Sequence, residues 1–209
     1  KRYHFNNKGI VAKGWTKIGS KLYFFNSNGA LGKFTGFKTI NSKKYYFTTN
    51  YNAYHDCWKT ISGKKYYFTA TGAAAKGFVT VKDKLYYFKK DCSLYNVSGL
   101  KTIENYKYYM KNGCCLTGWQ RIGSYCYFFN TKGRMVTNKT VDGLKLGSNG
   151  QASGSTKKLA PLHAKLIVQS ITTNSMTKAK KIRTCFDWVI KNCASNGNPR
   201  IPHMTTTDW

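Results

Sequence analysis

The chain holds 209 residues, with 35 Lys plus Arg against 7 Asp plus Glu, a formal net charge of +28, and an unusual load of 16 Tyr and 12 Phe. That length allows one or two domains, and a field so lopsided attracts polyanions such as acidic glycans, anionic lipid surfaces or nucleic acid. No apolar run approaches the roughly 18 residues of a membrane-spanning helix. The 7 cysteines are an odd set without zinc-site spacing, so no disulfide framework, metal site or cofactor is expected from them.

A phrase of Gly-aromatic-x-x-Ile, a two-residue turn and Lys-x-Tyr-Tyr-Phe recurs along the first 150 residues. Its best copies start at Gly14, Gly36, Cys57, Gly77, Gly99 and Gly118, spaced by 22, 21, 20, 22 and 19 residues. Self-similarity at so short a period signals a stacked array, each unit burying its apolar face against its neighbours. The first half of each copy alternates as a short strand. Gly19-Ser20, Asn41-Ser42, Ser62-Gly63, Glu104-Asn105, Gly123-Ser124 and Asp142-Gly143 then suit tight hairpin turns. A second turn follows the aromatic triplet, at Gly29, Gly72 and Gly133.

Period-two geometry puts the first Tyr and the closing Phe of each triplet on one face and the middle residue on the other. The Phe column and the column Ile18, Ile40, Ile61, Val81, Ile103, Ile122 and Val141 read as core. Aromatics on both faces of the second strand exceed what a single core face consumes. Residues 1–152 are therefore expected to be mainly β, a solenoid of stacked β-hairpins, with a plainer, more polar last unit at Leu144-Lys145-Leu146. The chain opens within a copy and lacks a starting Met, so a targeting segment is expected upstream.

Residues 153–158 read as a flexible linker and 159–209 as a helical segment. Leu159, Leu162, Leu166 and Ile167 mark one helix, with Pro161 in its first turn. Thr177 is expected to cap a second, whose stripe Ile182, Cys185, Phe186, Val189, Ile190 and Cys193 is read as buried and whose stop lies at Asn196-Gly197, before Pro199.

The phrase Gly-Trp-x-x-Ile-x-Gly-Lys-x-Tyr-Tyr-Phe resembles the cell-wall-binding repeat superfamily of Gram-positive surface proteins, over about residues 1–152. Its members include choline-binding modules, glucan-binding repeats and receptor-binding repeats of glucosylating toxins. The resemblance implies a hairpin solenoid with ligands in aromatic-lined grooves between successive hairpins, on a secreted or cell-wall-associated protein. Choline-binding members carry a Trp just before the paired tyrosines, which boxes a quaternary ammonium by cation–π attraction. Here that slot holds Leu22, Lys44, Lys65, Leu85, Lys107 and Cys126, which favours the glycan-binding branches. The implied platforms are Trp15, Tyr23, Phe37, Tyr45, Trp58, Tyr66, Phe78, Tyr86, Trp119 and Tyr127, where a ring can stack on a sugar's C–H face.

The stretch from Ile171 to Thr177, with Phe186-Asp187-Trp188, is similar to the helical lead-in of a transglutaminase-like domain. Such a domain uses a Cys-His-Asp triad, and no Gly-x-Cys nucleophile segment occurs before Trp209. His163 and His203 lack a carboxylate at a recognisable spacing. The expected function is thus a non-catalytic module that anchors its protein to a cell-wall polysaccharide, glucan or other glycan, with anionic teichoic acid as a further partner. Targeting of a transglutaminase-like enzyme and binding of choline are the alternatives, and nucleic acid is the least favoured partner.

Overall fold

The computed structural model describes residues 1–193, with the side chain of Cys193 excepted. The helix stop expected at Asn196-Gly197, Pro199 and His203 lie outside these residues. The chain divides into two compact units, Lys1–Thr117 with Asn130–Arg134, and Gly118–Phe129 with the residues from Met135 onward.

The first unit contains five antiparallel hairpins. Hairpin 1 pairs Gly14–Ile18 with Lys21–Phe25, and hairpin 2 pairs Gly36–Ile40 with Lys43–Phe47. Hairpin 3 pairs Cys57–Ile61 with Lys64–Phe68, hairpin 4 pairs Gly77–Val81 with Lys84–Phe88, and hairpin 5 pairs Gly99–Ile103 with Tyr106–Lys111. The tips of hairpins 1, 2, 3 and 5 are the turns expected. Both central residues have positive φ at Asn41-Ser42, Ser62-Gly63 and Glu104-Asn105, the geometry that matches the twist of the strands. Lys82-Asp83, unrecognised as a turn in the sequence, does the same at φ 47° and 61°. For two residues with β-carbons this is strained backbone, held by the register of the strands on either side.

The segment after each hairpin is more than a connection. Leu94, which follows hairpin 4, sends its N–H to the Lys65 carbonyl of hairpin 3 at 2.7 Å and bridges Phe88 of its own hairpin. Ala74 repeats this one hairpin earlier, bonding the Lys44 carbonyl and bridging Phe68. After hairpins 2 and 5 the segment is a short strand, Asn52–Ala53 or Cys114–Cys115, paired on both sides. Each connector thus lies between the second strands of two successive hairpins and stitches them together. Space there is tight: a β-carbon on Gly72, at φ 80°, would sit 2.7 Å from a methyl of Leu22.

The core is the column expected. Phe25, Phe47, Phe68, Phe88 and Met110 are at most 3% exposed. The Ile/Val column differs: only Val81 and Ile103 are buried, and Ile18, Ile40 and Ile61 are partly exposed.

The second unit holds hairpin 6 (Gly118–Ile122 with Tyr125–Phe129) and hairpin 7 (Lys139–Val141 with Leu144–Leu146), whose outer side pairs with Ala152–Ser153. Leu144 and Leu146 are each 3% exposed, so the last hairpin keeps an apolar face instead of the plainer one expected. Helix α1 spans Thr156–Ile171 and α2 spans Lys178–Cys193. The expected linker is therefore shorter than 153–158, and Pro161 falls inside α1, past its first turn. The Cys126 Sγ of hairpin 6 lies 3.5 Å from the His163 Nε2 of α1. Thr177 caps α2 by accepting the Lys180 N–H at 3.3 Å. Its stripe is not buried among the described residues, since Ile182, Val189 and Ile190 are 37–47% exposed. No helix among these residues is long and apolar enough to cross a membrane.

Phe68 has no exposed surface. Phe68→Ala should cost about 3–5 kcal/mol in denaturant unfolding, and the more open Phe37→Ala well under that. Equal costs at the two positions would contradict the core assigned here.

Candidate functional site

Seven of the ten ring positions marked in the sequence, all but Tyr23, Trp119 and Tyr127, come together in a regular pattern. The aromatic after each opening Gly packs on the first Tyr of the following hairpin. Ring centroids lie 4.3 Å apart for Trp15 and Tyr45, 5.1 Å for Phe37 and Tyr66, 5.0 Å for Trp58 and Tyr86, and 4.8 Å for Phe78 and Tyr108. Trp15 and Trp58 also stack on the Phe of the next hairpin, Phe47 and Phe88.

These rings close the seams they were expected to leave open. Tyr45 and Tyr66 are each only 4% exposed and offer no free face to a ligand, a correction to their reading as platforms. Their burial follows from the alternation that buries the Phe two residues on. The outer surfaces of several rings are covered by the chain's own cations: Lys44 Nζ stands 4.1 Å from the centre of Phe37, and Lys65 Nζ 4.8 Å from that of Trp58. Tyr23 and Tyr127 are half-exposed, the latter accepting a hydrogen bond from Gln151 at 3.4 Å. Trp119 packs edge-on to Phe128 and donates its indole N–H to Asp142 at 2.8 Å.

Open space lies instead along the connector after hairpin 4, residues 89–97. A cleft of about 480 Å³ separates it from the tip of hairpin 3 and is lined by Thr60, Lys64, Lys65, Lys89, Tyr95 and Asn96, among others. A second, of about 300 Å³, lies toward hairpin 5 and is lined by Tyr87, Lys89, Tyr95, Thr102, Ile103 and Glu104. Lys89 and Tyr95 line both, so the two clefts adjoin along this connector and are treated together as a groove. Tyr87 and Tyr95 meet edge to face at 6.1 Å, and among the described residues neither hydroxyl has a hydrogen-bond partner. The Tyr67 hydroxyl of hairpin 3, by contrast, is bound to Asp56 at 2.7 Å, which pushes its pKa up to about 12.

None of Tyr87, Lys89 or Tyr95 was singled out in the sequence. Their signal was the 22-residue spacing from Gly77 to Gly99, which lengthens this connector. The connector from Gly14 to Gly36 is equally long, but there Phe34 folds back onto Phe24 and Phe47 and fills the space.

The groove is held by a clamp. Tyr95 N–H bonds the Tyr87 carbonyl at 2.9 Å, and Gly113 N–H bonds the Val97 carbonyl at 3.0 Å. The Asp91 carboxylate accepts from the N–H and hydroxyl of buried Ser93, at 3.0 and 2.6 Å, and from Lys64 at 3.1 Å. These donors hold its carboxyl well below the usual range, Ser93 contributing more than the solvent-facing Lys64. Burial pushes the Cys57, Cys92, Cys114, Cys115 and Cys126 thiols up, Cys115 to about 12, so they stay protonated and weakly nucleophilic. Among the described residues no three His, Cys, Asp or Glu gather as a metal would need. Rings with free hydroxyls beside ammonium groups are equipped to bind.

Because the folded pKa of Asp91 is depressed, the clamp contributes stability above the ordinary carboxylate pKa of about 4 and loses it as pH falls toward the folded value. The difference in Tm between the native protein and Asp91→Asn should be constant from pH 7 to 5 and shrink below about pH 4. A difference that grows on acidification would contradict the clamp.

A model described as choline-binding repeat matches residues 56–92, and one described as putative cell wall binding repeat matches 13–31, 35–50 and 117–135. No curated protein matches the chain. Choline binding protein F from Streptococcus pneumoniae is similar at 28% identity and a TM-score of 0.51, over 73% of this chain and 54% of that one. Its structure in the presence of a tetrasaccharide-pentapeptide peptidoglycan analogue matches over the same shares, at 27% identity and 0.51. A cell wall endolysin from phage Cp-1, complexed with choline, is 27% identical over 67% of this chain and 43% of that chain, with a TM-score of 0.42. The chain thus spans about half the length of these structures. None of the matched segments falls on α1 or α2, and the comparisons give no support to a transglutaminase-like domain. The matched segments, 13–31, 35–50, 56–92 and 117–135, thus resemble repeats of the choline-binding and cell-wall-binding type and fall on the hairpins described above.

Proposed function

We propose that the chain is a non-catalytic cell-wall-binding module that grips the saccharide part of a wall polymer in the groove around residues 89–97 and holds its protein at the cell surface. The observation that carries this reading is the pair of half-buried rings, Tyr87 and Tyr95, with unpartnered hydroxyls above a connector fixed at both ends. A sugar presents an apolar C–H face to such rings and hydroxyls to Lys89 and Thr102 beside them. The wall-binding repeat matches support the polymer class, as does the peptidoglycan analogue named for the similar choline binding protein F. A glucan or another glycan is the finer choice within that class.

Choline is the second reading, favoured by the repeat match over 56–92, which contains the Trp58, Tyr67 and Tyr86 cluster. Against it stands Lys65, whose ammonium already occupies the face of Trp58 that a quaternary ammonium would need.

Retention on peptidoglycan stripped of teichoic acid separates the two. Tyr87→Ala with Tyr95→Ala should lower affinity at least about tenfold, equal to about 1.4 kcal/mol. Trp15→Ala should lower stability with little effect on affinity, and millimolar choline should release nothing. Full retention by a folded Tyr87→Ala/Tyr95→Ala protein would sink the saccharide reading, and release by choline would replace it with the second.

A further inference from the structure

The two halves of the groove differ in charge. The smaller carries Glu104 beside the Tyr rings, whereas the larger is lined by Lys64, Lys65 and Lys89. We propose that the larger half is a subsite for an anionic group on the bound polymer, a phosphodiester or a sugar carboxylate. This rests on the reading of the groove as a polymer site and adds a charged group and a direction to it.

The three ammonium groups come from different places in the chain. Lys64 and Lys65 leave the tip of hairpin 3, and Lys89 leaves the connector opposite. The nearby carboxylate, Asp91, already takes two bonds from Ser93 and one from Lys64, so it neutralises at most one of the three. Lys65 rests over an uncharged ring, and among the described residues Lys89 has no carboxylate partner. Two lysines without a carboxylate partner among the described residues therefore line a cleft about 480 Å³ in volume, within the usual range of ligand sites. Thr60 and Asn96 on its wall add polar groups able to donate to an anion's oxygens. A polymer lying along the groove would set its sugar on Tyr87 and Tyr95 and its charge between hairpin 3 and Lys89.

A net charge of +28 binds any polyanion to some degree, so the test must separate a site from a diffuse field. Lys65→Gln/Lys89→Gln is compared with Lys21→Gln/Lys33→Gln, which removes the same charge from exposed positions in hairpin 1 and the connector after it. The probes are poly(glycerol phosphate), polygalacturonate, oligodeoxythymidine and teichoic-acid-free peptidoglycan. The cleft variant should lose at least about tenfold in affinity for one or both of the first two, and its log-affinity-versus-log-salt slope should fall by about 2. The hairpin 1 variant should keep its slope. Which of the two probes loses more distinguishes phosphate from carboxylate. Equal losses in both variants, no loss in either, or a loss confined to oligodeoxythymidine would overturn the subsite. Teichoic-acid-free peptidoglycan should bind the single variant Lys65→Gln, which leaves the lining of the smaller half intact, as before. If it fails to bind even the native protein while the anionic losses appear, the saccharide reading falls and the subsite stands.

Discussion

The structure depends on one recurring bond, from a connector N–H to the carbonyl of the preceding hairpin's second strand. A lone two-stranded ribbon is marginal in water. Leu94 to Lys65 and Ala74 to Lys44 tie successive ribbons together by single backbone bonds, and Cys114-Cys115 against Leu85-Tyr86 does so with two residues. Only when this bond holds the hairpins at fixed spacing can Trp15 reach Tyr45, or Trp58 reach Tyr86. Backbone stitching and ring packing are thus two sides of the same contact.

That contact also determines where binding can happen. A seam filled by Trp on Tyr, with Lys44 or Lys65 laid over the ring next to it, is committed to stability. Sites must then arise where a connector has residues to spare. The connector after hairpin 4 leaves space, and the bonds of Tyr95, Val97 and Asp91 fix its walls. Little rearrangement is needed for a ligand to enter, which lowers the cost of binding.

Much of the fold was legible in the sequence. Asn41-Ser42 and Asp142-Gly143 announce their turns by residue type, and the Phe column announces the core by alternation. Lys82-Asp83 was missed because Lys has no preference for positive φ and no Gly or Asn accompanies the Asp; the flanking strands impose the turn. The site was harder to read. Alternation tells which face Tyr45 occupies, but not that Trp15 from another repeat covers it, since that depends on the spacing between hairpins. Tyr95 lies outside the repeated phrase, in a connector whose extra length was the single clue. The exposed stripe of α2 shows the same limit, because a period of 3.6 marks a face without saying what packs on it.

The most direct measurement is a two-dimensional NMR titration with a peptidoglycan tetrasaccharide, following the backbone amides and the indole N–H signals. The signals of Tyr87, Lys89 and Tyr95 should move together and saturate, while those of Trp15 and Trp58 stay in place. Movement centred on the Trp15 and Trp58 indoles, with the connector unchanged, would mean that the seams open to ligand and would contradict the central claim.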